Sequence, residues 1–145
     1  MINSELKSYD IYLYHQGTNY HSYGIFGAHL VQEGGVSGVR FTVWAPHAKA
    51  VSVVGDFNNW DRAVSPMTKL SDGEIWHIFI PDLSENTLYK YVIEPYDGGE
   101  LLYKADPYAF YAEKKAVPIR ETKGMICSEF VMCYPPGIPI LAPGE

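Results

Sequence analysis

Between residues 39 and 43 apolar side chains fall at every second position, Val39, Phe41 and Val43, alternating with Arg40, Thr42 and Trp44. A period of two sends alternate side chains to opposite faces and predicts a strand with one buried face. Ala45-Pro46-His47-Ala48 interrupts the pattern, because Pro46 has a fixed φ and no N–H for a ladder. β-Branched residues predict a second strand over 50–54, closed by Gly55. Asp56-Phe57-Asn58-Asn59-Trp60-Asp61 then reads as a polar loop carrying two aromatics. The two strands are expected to form a small antiparallel unit that displays this loop.

The same pattern predicts strands over 75–80, 88–93 and 101–103. Turns separate them: Leu70-Ser71-Asp72-Gly73, residues 81–86, and Pro95-Tyr96-Asp97-Gly98-Gly99. Ser65-Pro66-Met67 reads as a crossing segment. Upstream, residues 1–16 read as a short helical lead, capped by Ser4, with Ile11, Leu13 and Tyr14 as its apolar contacts. Residues 17–29 read as a Gly-rich loop lying over the sheet, anchored by Tyr20, Tyr23 and Phe26. Glu33-Gly34-Gly35 is a turn into the first strand. Short strands at this spacing are the pattern of an all-β sandwich.

Composition narrows the function more than the fold. A length of 145 residues holds one ordinary domain, and 47% hydrophobic with 19% charged residues fits a soluble globular chain. A formal charge of −6 without a Lys/Arg cluster argues against a nucleic-acid partner. No apolar run reaches the ~18 residues of a membrane span, and 1–10 lacks a signal-peptide core, so a cytoplasmic location is expected. Cys127 and Cys133 are expected to be reduced thiols, and the histidines, including His15 and His21, show no paired ligand spacing; no metal or cofactor is expected. Aromatic residues make up 14% of the chain, mostly Tyr, well placed for ring-stacking contacts.

Four motifs in one order, GVRFTVWAP, VSVVGDFNNW, LYKYVI and KADPYAFYAE, closely resemble the N-terminal module of 1,4-α-glucan (glycogen) branching enzymes. The lead DIYLYHQGTNY with GAHL resembles that family too, so the likeness covers residues ~9–113. The module belongs to a glycogen-binding group also found in isoamylases and in the β subunit of AMP-activated kinase. The resemblance implies an immunoglobulin-like antiparallel β-sandwich, here with a short helical lead over 1–35, the sandwich over 36–113 and an irregular C-terminal tail. In the full enzymes a catalytic (β/α)8 barrel follows, and its carboxylate nucleophile and acid/base residue sit at barrel strand ends. Those motifs lie outside this sequence. Asp56, Asp61, Asp72, Glu74, Asp82 and Glu85 are scattered over turns, so this chain alone is expected to be non-catalytic.

The resemblance also implies a sugar site. An aromatic face buries the apolar face of glucose, while amides and cations hydrogen-bond its hydroxyls. Trp60 with Asn58 and Asn59 offers this within three residues, and Lys90 supplies a donor on an aliphatic stem. In the kinase subunit the Trp of FNNW and the Lys of YKF contact sugar, and these roles carry over to Trp60 and Lys90. A second family Trp, after the Asp-Gly turn, is missing from Asp97-Gly98-Gly99-Glu100-Leu101-Leu102, which leaves Tyr103 or Tyr96 as its substitute. The expected partner is an α-1,4-glucan such as glycogen, starch or a maltooligosaccharide. The alternative partner is a branching-enzyme barrel, with the module docked on it and Trp60 buried in the fold or interface. Phe57 is expected in the core, and Trp44 and Trp76 in the core or on a sheet face.

Beyond residue 114 the pattern changes. Tyr134-Pro135-Pro136-Gly137-Ile138-Pro139 followed by Pro143-Gly144-Glu145 resembles a C-terminal segment of the Orn/Lys/Arg decarboxylases, without their pyridoxal-binding lysine region. A short helix is expected over 117–131, then an extended Pro-rich end. Two unrelated fragments in one chain point to an aberrant fusion or truncation, with residues 115–145 poorly anchored on the sandwich.

Overall fold

The computed structural model describes residues 8–70, 74–111, 131–132 and 139–141. The expected Ser4 cap, the Asp72-Gly73 turn, Cys127, Cys133 and all but the last residue of the helix expected over 117–131 lie outside these residues; that last residue, Val131, is in a strand. The chain divides into two compact units, Met1–Ala109 and Phe110–Glu145.

In the first unit, helix α1 (Ser8–His15) and a one-turn 3-10 helix at Ser22–Gly24 precede seven strands. The strands are β1 (Gly27–Glu33), β2 (Val36–Trp44), β3 (Ala48–Gly55), β4 (Thr68–Lys69), β5 (Ile75–Pro81), β6 (Tyr89–Pro95) and β7 (Leu102–Lys104). They form a four-stranded sheet in the order β1-β2-β5-β4 and a three-stranded sheet in the order β3-β6-β7. Every pairing is antiparallel. In the second unit, β8 (Val131–Met132) pairs antiparallel with β9 (Pro139–Leu141); the rest of the expected extended Pro-rich end lies outside the described residues.

The alternation in β2 sends Val39, Phe41 and Val43 inward, where they meet Val51 and Val53 of β3, Trp76 of β5 and Tyr91 of β6. Each such apolar side chain contributes about 1.5–3 kcal/mol by leaving water. Two antiparallel sheets closed over this one layer make the immunoglobulin-like sandwich. The expected pairing of β2 with β3 does not occur: they lie in different sheets and face each other across the core. Ala45 still belongs to the first sheet's side, donating its N–H to the Glu74 carbonyl at 3.1 Å. The chain then turns through Pro46, and β3 pairs with β6 instead. Residues 65–67 do cross between sheets: Ser52 bridges Pro66, Met67 donates to the Val51 carbonyl, and β4 then joins β5.

A second, smaller core lies on the outer face of the larger sheet. Ile11 of α1, Phe26 and Ile75 are buried there, flanked by Tyr14, Ile25, Leu70 and Tyr108. Of the three expected anchors of the 17–29 loop, only Phe26 is buried; Tyr20 and Tyr23 are 84% and 52% exposed. His21 Nδ1 and the Tyr23 hydroxyl are hydrogen-bonded at 3.1 Å, a local contact that leaves both rings on the surface. Residues 27–29, expected in that loop, instead open β1. Trp76 is buried and donates its indole N–H to the Ala45 carbonyl, whereas Trp44 is half exposed on the sheet face with its ring edge toward Tyr14.

Candidate functional site

The site grows from the end of β3. Gly55 leads into a one-turn 3-10 helix at Asp56–Asn58, and Asn59 and Trp60 follow with φ of 54° and 60°. Two successive non-glycine residues in the left-handed region are costly, roughly 1–3 kcal/mol each, and persist only where neighbours hold them. Asn58 is what holds them. Its side chain is buried, its Oδ1 accepts the Gly55 N–H at 3.0 Å, and its Nδ2 donates to the Val53 carbonyl at 2.9 Å and to Ser65 Oγ at 3.0 Å. The Trp60 N–H donates to the Gly55 carbonyl at 3.0 Å, closing the turn. Asn58→Ala removes all three side-chain bonds and leaves a buried N–H unpaired; the expected loss is about 2–3 kcal/mol, read as a lowered urea midpoint.

This turn raises Trp60 to the surface, where the residue is 41% exposed, with its Nε1 donating to Asp56 Oδ1 at 2.8 Å. The loop then folds over the outer face of β3-β6-β7: Arg62 pairs with Glu94 at 3.1 Å, and Lys49 pairs with the other Glu94 oxygen at 2.7 Å. The hydrogen bond from Lys49, then that from Arg62, holds the Glu94 carboxyl below its ordinary range. Phe57 turns the opposite way, half-buried against the core with its ring 6.2 Å from Phe41.

Lys90 and Tyr103 belong to the same outer face. Lys90 is opposite Val54, Tyr103 is opposite Val92, and residues 90 and 92 share a face because they are two apart on β6. Both Lys90 and Tyr103 are exposed. The register therefore brings Lys90 and Tyr103 to one surface, with Lys90 diagonal to Tyr103 and paired one position from the Gly55 that binds the Trp60 backbone. Asn59 is exposed beside Trp60. Asn58 is not on this surface: its amide is occupied inside the turn. Tyr96, 64% exposed, follows β6 in the 95–99 turn.

One residue that the sequence reading passed over positions this face from behind. Asp106 is buried, and its Oδ2 accepts hydrogen bonds from the Tyr89 hydroxyl at 2.6 Å and the Tyr91 hydroxyl at 3.1 Å. Its Oδ1 accepts the Tyr108 N–H at 2.8 Å. Burial, reinforced by the Asp106 charge, raises both phenol pKa values well above the ordinary 10.0. With Tyr89 and Tyr91 held inward, alternation directs Lys90 outward. Among the described residues no group of three or more His, Cys, Asp and Glu could hold a metal ion, and no helix is long and apolar enough to cross a membrane.

Comparison with known proteins places this architecture. The family described as carbohydrate-binding module 48 (isoamylase N-terminal domain) matches residues 25–109, and the Orn/Lys/Arg decarboxylase C-terminal domain matches residues 102–145. The 1,4-alpha-glucan branching enzyme of Halothermothrix orenii is 52% identical over 108 residues, covering 74% of this chain and 17% of its own. That of Bacillus mycoides is 56% identical over 100 residues, covering 69% and 15%. The chain thus spans 15–17% of the length of these curated relatives. Among solved structures, ligand-free PulA from Klebsiella pneumoniae aligns with 31% identity, 58% of this chain, 8% of its own and a TM-score of 0.46. With most of its sandwich, residues 25–109, matched by one family, and with branching-enzyme segments more than half identical to it, the chain belongs to the carbohydrate-binding module 48 family.

Proposed function

We propose that the sandwich is a non-catalytic module that binds α-1,4-glucan, such as glycogen, starch or a maltooligosaccharide, on the outer face of β3-β6-β7. The half-open indole of Trp60, raised by a strained turn and fixed at its N–H, carries this reading. A ring held in this way stacks on glucose without first losing side-chain entropy. Lys90 donates to hydroxyls, Tyr103 serves as the second ring in place of the absent family Trp, and Asn59 offers its amide at the edge. Asn58 acts through the turn rather than on the sugar. In this reading the module spans 36–113, the 1–35 lead adds β1 to its larger sheet, and the decarboxylase-like segment from 114 takes no part. The curated relatives are named for glucan branching, and in this reading the sandwich is the binding part of such an enzyme.

The exposed Tyr9, Tyr12 and Tyr20 of the lead favour a second reading, in which the module docks on a branching-enzyme barrel. Intrinsic tryptophan fluorescence titrated with maltoheptaose separates the two. A saturable change in the parent that vanishes in Trp60→Ala, with circular dichroism unchanged, is the expected result. No change in the parent up to millimolar sugar removes the glucan reading and leaves the docking one.

A further inference from the structure

The carboxylate of Asp56 has a place in the site that neither the family motif nor the likeness to branching enzymes assigns. It opens the 3-10 turn four residues before Trp60, and one oxygen accepts the indole N–H at 2.8 Å. Asp56 is exposed, and its second oxygen has no partner among the described residues. Because Trp60 has φ of 60°, its backbone alone does not favour a ring direction common to ordinary strands or helices; the bond to Asp56 selects one. The same bond consumes the only hydrogen-bonding group on the indole, so the ring can offer a ligand its faces alone. An acceptor bound to the indole edge lies where the hydroxyls of a stacked pyranose radiate outward.

We propose that Asp56 is a binding residue of the glucan platform: one carboxylate oxygen orients Trp60, and the other accepts a hydrogen bond from a hydroxyl of the stacked glucose. This rests on the glucan reading of the site. It places a carboxylate beside the ring, opposite in charge to Lys90 and Arg62, so the platform offers both an acceptor and donors to a ligand rich in hydroxyls.

Two substitutions separate the two roles. Asp56→Asn keeps an oxygen for the indole but replaces the second acceptor by an NH2 group; Asp56→Ala removes both. The readouts are maltoheptaose affinity by calorimetry and the Trp60 indole N–H resonance, assigned against Trp60→Phe. The expected order of affinity is parent, then Asp56→Asn, then Asp56→Ala, the last weakened about tenfold or more, as loss of charge-assisted hydrogen bonds implies. The indole resonance should hold its position and exchange protection in Asp56→Asn and lose both in Asp56→Ala. Affinity within twofold of the parent in Asp56→Ala overturns the proposal, as does an indole resonance unmoved by that substitution. If the parent itself binds no maltoheptaose, the glucan reading and the hydroxyl contact fall together; the orienting bond is still judged by the indole resonance.

Discussion

Asp106→Ala is expected to unfold the sandwich more readily than any other single change at this face. The substitution strips acceptors from the Tyr89 and Tyr91 hydroxyls and from the Tyr108 N–H. A buried polar group left unpaired costs about 1–3 kcal/mol, so three together give a loss of about 3–5 kcal/mol. Against a total of about 5–15 kcal/mol for a domain, this removes about a fifth of the stability or more. Thermal denaturation followed by circular dichroism should show a Tm lowered by about 15 °C or more. Asp106→Asn, which keeps one acceptor oxygen, should lose clearly less. An Asp106→Ala protein within a few degrees of the parent would show that the triad of hydrogen bonds is worth little.

The same cluster sets a pH dependence. In the folded state both phenols ionise well above their ordinary value of 10.0. Above that value the unfolded chain gives up protons that the folded chain keeps, so stability falls as pH rises. The slope approaches about 1.4 kcal/mol per pH unit for each tyrosine. The contribution is fully present below pH 10.0 and declines above it, and Tyr89→Phe should halve the steepness of this alkaline loss.

Gly55→Ala is the second large effect. A Cβ on Gly55 would sit 2.3 Å from the Leu88 carbonyl oxygen and 2.6 Å from the Phe57 ring. The ring can rotate away; the carbonyl belongs to the backbone entering β6 and cannot move without shifting the strand. Overpacking of this kind costs about 1–3 kcal/mol, and a backbone clash lies at the upper end. The damage is also local to function, because the Gly55 carbonyl accepts the Trp60 N–H. Gly55→Ala should therefore lower the urea midpoint and weaken maltoheptaose binding together. By contrast, Gly34→Ala, with nothing within 4 Å of its Cβ, changes stability only through its φ of 57° and leaves binding alone.

How legible the molecule was in its sequence varied with the kind of interaction. Strands β2, β5 and β6 are legible as short apolar runs bounded by turn residues, and in β2 the core-facing Val39, Phe41 and Val43 also write a period of two. β1 does not: it opens at Gly27 with φ of 101°, and its exposed positions hold the apolar Leu30 as well as Gln32, so polarity does not track its faces. The sheet membership of β2 and β3 is invisible locally, since the connection through Pro46 is compatible with a hairpin or a crossing, and only the partners β5 and β6 decide. At the candidate site, Lys90 and Tyr103 share one face of β6 and β7, which the strand pairing fixes. Asn58 looked like a ligand contact because an exposed and a buried amide are spelled alike. Asp106, in Asp-Pro-Tyr, gave no local signal, since its two phenol partners are 15 and 17 residues away.

The stretch that leads into β1 meets the stretch that follows β7. Tyr108 stacks on Phe26 with ring centroids 5.5 Å apart and reaches Ser22 with its hydroxyl at 3.4 Å, while the Cβ of Tyr108 lies 3.1 Å from where a side chain on Gly27 would begin. The strands between Phe26 and Ala109 therefore start and finish at one place and behave as a cassette. It can be carried within a longer polypeptide with both joints on the same side, and it is suited to circular permutation. A short linker between the ends, with new termini cut in the exposed Gly34-Gly35 turn, would close the chain where it already touches itself and leave the Trp60 face uncut.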